Sequence, residues 1–159
     1  MPQTSNPKTL ILGLGNPLSG DDCFGARVLD LLHQDGTGSL PGVSLANAHT
    51  DLLNHIEDFA AHDRIVLIDA ILDPESKLDM TGQIIVLPEE RFLSWSESSP
   101  SVHQMSPLLA VKLFRQLYPA AKIQISLVGL LVDQLAHEPR YATDDRIKEA
   151  AATIRALLS

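Results

Sequence analysis

Two aspartates lie near the ends of predicted buried strands, where their carboxylates would face a cleft. Asp22 closes the glycine-rich segment Gly13–Asp22 (GLGNPLSGDD), and Asp69 follows four apolar residues in the run Arg64–Ala70 (RIVLIDA). A helix N-terminus keeps a carboxylate ionised, which suits Asp22 at the start of a helix-like segment. Carboxylate oxygens bind divalent metal ions and take part in proton transfer. Asp22 is also consistent with a simple helix cap, whereas the apolar run gives Asp69 little structural reason to be acidic.

The glycine-rich segment matches two nucleotide-binding loops only in part. A dinucleotide fingerprint would require a third glycine where Leu18 stands. The spacing from Gly15 to Gly20 is that of a phosphate-binding loop, but Asp21 and Asp22 replace the Lys and Ser or Thr that should follow. Two carboxylates would repel a phosphate, so nucleotide binding is disfavoured. Asp21 is interpreted as a helix cap or a group that supports Asp22, and not as a ligand.

Apolar runs and helical spacing predict alternating strands and helices that would carry these residues. The predicted strands are Thr9–Gly15, Val43–Ala48, Arg64–Ala70, Gln83–Leu87 and Lys122–Gly129. The predicted helices are Asp22–Leu32, Asp51–Phe59, Pro107–Leu117 and Thr143–Leu158. The serine-rich segment Glu89–Val102 is interpreted as a loop. This order predicts a three-layer α/β fold, with a mostly parallel central sheet of about five strands and helices on both faces.

The order of the strands in the sheet decides whether the two aspartates meet. Right-handed crossovers favour placing the first strand between the second and the third. Ligands of such sheets bind at the carboxyl ends of the strands, where the strand order reverses. The crevice would then open between the first and third strands, beside Asp22 and Asp69. The segment Ile71–Gly82 has no convincing helical crossover, so the strand Gln83–Leu87 is predicted to be antiparallel.

The length and composition of the chain are typical of one globular domain spanning residues 1–159. Acidic residues outnumber basic ones by 20 to 12, and the net charge of −8 disfavours a nucleic-acid partner. The single cysteine excludes an internal disulfide and suits a reducing compartment. The N-terminus has no apolar signal core, and no apolar run reaches the ~20 residues of a membrane helix. We therefore expect a soluble, cytoplasmic protein that does not associate with membranes.

The ordered motifs of the chain resemble those of the hydrogenase maturation endopeptidases. The N-terminal signature of that family is Gly-x-Gly-Asn, a short spacer, a paired acid and a further glycine, and it is matched by Gly13–Gly25. Its later motifs are an apolar strand ending in Asp-Ala, a histidine before a helix, and a late apolar strand. These are matched in order by Leu67–Ala70, His103–Gln104 and Leu127–Gly129. The matches extend over nearly the full chain.

The resemblance implies an endopeptidase that removes the C-terminal extension of a nickel-loaded hydrogenase large-subunit precursor. It implies that Asp22, Asp69 and His103 contact the nickel, which makes them the candidate catalytic and metal-binding residues. The nickel would belong to the substrate, so no permanently bound cofactor is expected. The protein is expected to act as a monomer. Without the resemblance, His103 would be interpreted as an ordinary surface histidine of a loop.

Substrate contacts are predicted for three further residues. Asn16 belongs to the N-terminal signature. Asn47 and His49 stand at the end of the second strand, where the family often has an acidic residue followed by glycine. This departure leaves open which hydrogenase is the substrate, and His49 is equally consistent with a residue that merely begins the next helix.

Two other functions fit parts of the sequence. The string Gly13–Pro17 (GLGNP) resembles the opening of peptidyl-tRNA hydrolases, but the nearest histidine, His33, lies well inside the predicted helix. A non-catalytic module that binds metal or protein is the second alternative. Cys23 is interpreted as a packing residue, because neighbouring aspartates raise the pKa of a thiol and so disfavour a nucleophilic thiolate.

Overall fold

The computed structural model describes residues 5–73, 79–96, 107–134 and 137–159. Within these ranges five strands form one sheet: β1 Thr9–Leu14, β2 Val43–His49, β3 Arg64–Leu72, β4 Ile84–Pro88 and β5 Gln124–Val132. The α-helices of these ranges are α1 Phe24–Gln34, α2 Ile56–Ala60, α3 Glu89–Ser96, α4 Pro107–Leu117 and α5 Asp144–Leu157. Short 3-10 turns occupy Gly20–Cys23, Thr37–Ser39 and Leu52–His55. None of the helices in the described ranges is long and apolar enough to cross a membrane.

The sheet has the strand order β2-β1-β3-β5-β4. β1 runs parallel to β2 and to β3, and β3 runs parallel to β5, whereas β4 is antiparallel to β5. The predicted placement of β1 between β2 and β3 is confirmed, and so is the antiparallel fourth strand. The chain passes from β1 to β2 on one side and then crosses to β3 on the other side of β1, so the strand order reverses between β1 and β3. We call the carboxyl ends of β1 and β3 the β1–β3 edge.

Helices cover both faces of the sheet, because alternate residues of each strand point to opposite sides. In β1, Ile11 belongs to one core and its neighbours Leu10 and Leu12 belong to the other. α1 and α5 cover the first side with the buried residues Phe24, Val28, Leu32, Ile147, Ala151 and Ile154. α2, α3 and α4 cover the second side with Phe59, Phe92, Val111 and Phe114. The predicted three-layer α/β architecture is therefore confirmed.

Two glycines allow α1 to approach the sheet closely. A Cβ atom at Gly25 would lie 2.4 Å from the carbonyl oxygen of Leu14 and 2.6 Å from that of Ile68. A Cβ atom at Gly13 would lie 2.8 Å from the carbonyl oxygen of Gly25. Any larger residue would therefore push α1 away from the strands. This close contact brings the turn before α1, and with it Asp22, to the β1–β3 edge.

The prediction of a loop over Glu89–Val102 is wrong for its first half, where α3 forms. Local composition is a weak determinant of helix formation, and tertiary contacts override it here. Phe92 is 2% exposed in the core of the second side. Arg115 of α4 donates two hydrogen bonds to the carboxylate of Glu89, at 2.8 and 2.6 Å. The second half of the predicted loop lies outside the described residues.

Several predicted boundaries also shift. The 3-10 turn Gly20–Cys23 precedes α1, so the α-helix begins later than predicted. β3 and β5 extend to Leu72 and Val132, beyond their predicted ends. α5 begins directly after Thr143, whose hydroxyl oxygen caps the helix by accepting the N–H of Arg146 at 3.3 Å. These shifts leave both aspartates at the β1–β3 edge.

Candidate functional site

Asp22 lies in the 3-10 turn between β1 and α1, where the preceding loop determines the direction of its carboxylate. The residue is 5% exposed, and its Oδ2 accepts a hydrogen bond from the N–H of Asn16 at 2.8 Å. Gly15 has a φ of 99°, which favours glycine. A Cβ atom there would lie 2.3 Å from the Asp22 carbonyl oxygen and 2.8 Å from its Oδ1. A side chain at Gly15 would therefore displace the Asp22 carboxylate.

Asp69 lies near Asp22, in the carboxyl-terminal part of β3, directly after the last residue of β3 that pairs with β1. It is 5% exposed and stands opposite Gly129 in the register of β3 with β5. Its Oδ1 has no hydrogen-bond partner among the described residues. Burial raises the pKa of Asp69 well above its usual range, and the charge of Asp22 raises it further, against a lowering by the N–H of Ala70. The two residues thus form a buried carboxyl pair.

A buried carboxyl pair has two chemical uses that an isolated surface aspartate lacks. A proton or a cation between two nearby carboxylates relieves their repulsion. A buried oxygen without a partner costs roughly 1–3 kcal/mol, an arrangement expected where a ligand completes the site. The geometry of Asp22 and Asp69 is therefore suited to contact with a cation or to proton transfer.

The third predicted member of the site, His103, lies outside the described residues. The described chain stops at Ser96, the end of α3, and resumes at Pro107, the start of α4. Within the described ranges no group of three His, Cys, Asp or Glu side chains is arranged to hold a metal ion. The structure thus brings together two of the three predicted ligands, and the role of His103 stays a prediction.

The predicted substrate-contact residues lie around the same end of the sheet. The carbonyl oxygen of His49 accepts the N–H of Gly15 at 2.7 Å, which joins the end of β2 to the loop after β1. His49 is exposed and has a φ of 51°, and Oδ1 of Asn47 accepts its N–H at 3.0 Å. Asn16 is exposed, and its N–H donates a hydrogen bond to Oδ2 of Asp22. Substrate contact by these three residues stays a prediction.

Asp21 makes contacts that its sequence neighbourhood does not indicate. The residue is fully buried, and its Oδ1 accepts the backbone N–H groups of Arg140, Tyr141 and Ala142 at 2.9, 2.8 and 2.8 Å. These contacts form a tether between distant segments and are not a cap on the helix that follows Asp21. No local sequence pattern could have indicated these contacts, because the partners lie 119 to 121 residues later in the sequence.

Cys23 ends the same turn and is 6% exposed among the apolar residues of the first core. Burial raises the pKa of its thiol, which disfavours the thiolate that nucleophilic attack requires. The contacts agree with the predicted packing role of Cys23.

Replacing Asp69 by asparagine is expected to stabilise the fold at neutral pH. The pKa of Asp69 is higher in the folded protein than its usual value of 3.8, so the protonated carboxyl group stabilises the fold at low pH. This stability is lost as the pH rises through the folded-state pKa of Asp69. At pH 7 the Asp69→Asn variant should gain about 1–3 kcal/mol in free energy of unfolding. Urea unfolding at pH 7 and pH 4 measures this gain, which should shrink at the lower pH. The exposed Asp30→Asn change in α1 is the control, and a less stable Asp69→Asn variant at pH 7 would contradict the expectation.

Comparison with known proteins identifies relatives in sequence and in fold. No protein-family model matches the chain. The chain is 28% identical over 131 residues to the hydrogenase 2 maturation protease of Escherichia coli (strain K12). The aligned residues cover 80% of this chain and 75% of that protein. Its fold matches the NiFe hydrogenase maturation protease HybD from Thermococcus kodakarensis with a TM-score of 0.73 and 24% identity, over 96% of this chain and 99% of that one. The hydrogenase maturating endopeptidase HybD from E. coli matches with a TM-score of 0.72 and 23% identity, over 95% and 91% of the two chains. The chain is therefore similar in sequence to a hydrogenase maturation protease and has the fold of such proteases, as its motifs predict.

Proposed function

We propose that this protein is an endopeptidase that removes the C-terminal extension of a nickel-loaded hydrogenase large-subunit precursor. The observation that carries the proposal is the buried carboxyl pair of Asp22 and Asp69 at the β1–β3 edge. The relatives in sequence and fold are proteases of hydrogenase maturation, and they supply the class of reaction. The carboxyl pair supplies side chains suited to meet a metal ion that the substrate carries.

In this proposal the nickel is part of the substrate, and the protein contacts it through Asp22, Asp69 and His103. Oδ1 of Asp69 lacks a partner among the described residues, so it is the atom that gains most from a nearby cation. A cation at the pair would offset both the burial of the two carboxylates and their mutual repulsion. The site is therefore more favourable with a metal-loaded precursor than without one.

Hydrolysis of a peptide bond requires a polarised carbonyl group and an activated water. As a Lewis acid, the nickel of the substrate can serve either need. A carboxylate held beside the metal can accept the proton of the water. Both routes use the same residues to hold the metal against the scissile bond.

Because the nickel arrives with the precursor, the proposal links cleavage to metal loading. A precursor without nickel would present the carboxyl pair with no cation, and binding would leave the pair buried and unpartnered. The protein is proposed to carry no permanently bound metal and to act as a monomer in the cytoplasm. Neither a nucleic acid nor a membrane is required as a partner.

Incubation of the purified protein with a purified nickel-loaded precursor tests the proposal against its two alternatives. An endopeptidase makes one cut, which mass spectrometry detects as a single shortened product. A non-catalytic metal-binding or protein-binding factor forms a complex and leaves the precursor intact. An esterase similar to peptidyl-tRNA hydrolase leaves the precursor alone and releases the peptide from a peptidyl-tRNA instead.

Replacing His49 by alanine is expected to lower the kcat/KM of processing about tenfold, or about 1.4 kcal/mol, as for one contributing interface side chain. His49 is exposed beside the loop that holds Asp22, which supports a proposed contact with the precursor away from its metal. The variant should therefore keep its preference for nickel-loaded over nickel-free precursor. His33→Ala, at the exposed end of α1, is the control. Unchanged processing by the His49→Ala variant would remove its role in substrate contact.

A further inference from the structure

We infer that Asp21 is a positioning residue for the proposed reaction, because it holds the 3-10 turn that directs Asp22 to the β1–β3 edge. The inference rests on the proposed function, in which Asp22 contacts the nickel of the substrate. Its starting point is that two consecutive aspartates contact different parts of the molecule. Asp22 accepts a hydrogen bond from the loop after β1, whereas Asp21 accepts three from the segment before α5.

A single oxygen atom of Asp21 joins the turn to the start of α5. Oδ1 accepts the N–H groups of the three consecutive residues in Arg140–Ala142, at 2.8 to 2.9 Å. Hydrogen bonds to a carboxylate are stronger than those between neutral groups, and consecutive N–H groups form a natural binding site for an anionic oxygen. Asp21 is fully buried, so bulk water does not compete for these bonds. The turn is therefore held at a fixed position relative to α5.

The position of Asp21 constrains Asp22 because the turn is short. It comprises only Gly20–Cys23, and a 3-10 helix has three residues per turn, so successive side chains point about 120° apart. With Asp21 held against the segment before α5, Asp22 is directed to the loop after β1 and to Asp69. The N–H of Asp22 also donates to the carbonyl oxygen of Ser19 at 2.9 Å. Rotation of the turn would break this bond together with the three at Asp21.

A second tether between the same two regions provides a matched control. Arg27, in the first turns of α1, donates hydrogen bonds to the carbonyl oxygen of Ala142 at 2.7 Å and to the carboxylate of Asp144 at 2.5 Å. Arg27 is not part of the 3-10 turn, although it contacts the thiol of Cys23 at the end of that turn. Its removal therefore loosens α1 from the start of α5 but keeps the Asp21 carboxylate and its three hydrogen bonds. Arg27→Ala therefore reports the effect of weaker packing between α1 and the start of α5 while Asp21 is retained.

The test measures single-turnover cleavage of nickel-loaded precursor, with the protein at a saturating concentration. It compares the variants Asp21→Ala, Asp21→Asn and Arg27→Ala. We expect Asp21→Ala to lower the cleavage rate about 100-fold, since a misplacement of ~1 Å at a reacting group can cost this much. Asp21→Asn keeps an oxygen acceptor and should stay within about fivefold of the wild-type rate. Arg27→Ala should stay within about threefold, even where its Tm falls by as much as that of Asp21→Ala.

The binding preference for nickel-loaded over nickel-free precursor is a readout that a purely structural role would not change. A misdirected Asp22 loses its contact with the nickel, so Asp21→Ala should lose most of this preference. A general loss of stability would instead weaken the binding of both precursor forms equally. Equal rate losses in Asp21→Ala and Arg27→Ala, or an intact nickel preference in Asp21→Ala, would overturn the inference.

If Asp21→Ala does not fold, Asp21→Ser takes its place, because the shorter hydroxyl can reach only some of the three N–H groups. Its cleavage rate should fall at least about tenfold, and a rate within threefold of the wild type would overturn the inference. A wild-type protein that neither cleaves the precursor nor prefers its nickel-loaded form would contradict the proposed function itself. The behaviour of the wild type therefore separates failure of the proposed function from failure of the role of Asp21.

Discussion

Replacing Asp22 or Asp69 by alanine should lower the kcat/KM of processing about 1000-fold, the upper range for loss of one electrostatic group in an active site. Both carboxylates are 5% exposed at the β1–β3 edge, where each would contact the nickel of the substrate. Either change leaves the other carboxylate without its counterpart across the metal. Asp30→Ala, an exposed change in α1, is the control and should retain full activity.

The stability of these variants separates a catalytic role from a structural one. Asp69→Ala removes a buried carboxyl group whose Oδ1 has no partner among the described residues, so it should lower the free energy of unfolding by no more than about 1 kcal/mol. Asp22→Ala removes the acceptor of the Asn16 N–H and should cost about 1–3 kcal/mol. Urea unfolding of the same protein preparations that are used for kinetics measures both changes in the free energy of unfolding. Unfolding of the Asp69→Ala variant under assay conditions would assign Asp69 a structural role.

Cleavage should require nickel in the precursor, with a preference of at least about 100-fold over the nickel-free form, or about 2.7 kcal/mol. A hydrolytic zinc site normally holds its ion permanently through three protein ligands, each oriented by neighbouring groups. Here the candidate ligands Asp22, Asp69 and His103 come from three segments that are distant in the sequence, and two of them are carboxylates. Such a set should bind a free ion weakly. A nickel ion that the precursor already holds brings its own ligands and the contact area of the partner.

Three measurements check this metal dependence. Elemental analysis should find no metal at a molar equivalent in the purified protein, and a chelator should leave its Tm unchanged, because no bound ion contributes to folding. Parallel assays with nickel-loaded and nickel-free precursor should give product only in the first. About one tightly held zinc ion per chain, or efficient cleavage of the nickel-free precursor, would contradict the proposed mechanism.

The order of the first three strands and the placement of Asp22 and Asp69, two of the three candidate ligands, could be predicted because their signals are local in the sequence. β1 and β3 are continuous apolar runs, as expected of parallel strands that are buried on both faces. Asp22 follows the carboxyl end of β1, and Asp69 lies in β3 just beyond its last residue paired with β1. In a parallel sheet the carboxyl ends of the strands share one edge. Right-handed crossovers then placed β1 next to β3. Run length, residue type and spacing were sufficient for these conclusions.

α3 was not predictable in the same way, because its stability depends on partners far along the chain. The segment Glu89–Ser96 is largely polar, and a loop was the reasonable interpretation of its composition. Its helical conformation is supported by the burial of Phe92 and by the two hydrogen bonds from Arg115 to Glu89. These contacts exist only once α4 has packed beside α3.

The sequence by itself predicted the fold class, the order β2-β1-β3, the antiparallel β4 and the presence of carboxylates at the β1–β3 edge, whereas the position of β5 between β3 and β4 came from the structure. Only the tertiary structure decided what each carboxylate contacts. Asp21 and Asp22 are identical neighbours, yet one accepts three N–H groups from the segment before α5 and the other faces the site. The raised pKa of Asp69 likewise requires its burial and the nearby charge of Asp22. Hydrogen bonding and desolvation depend on distances in space, and folding sets those distances between residues that are far apart in the sequence.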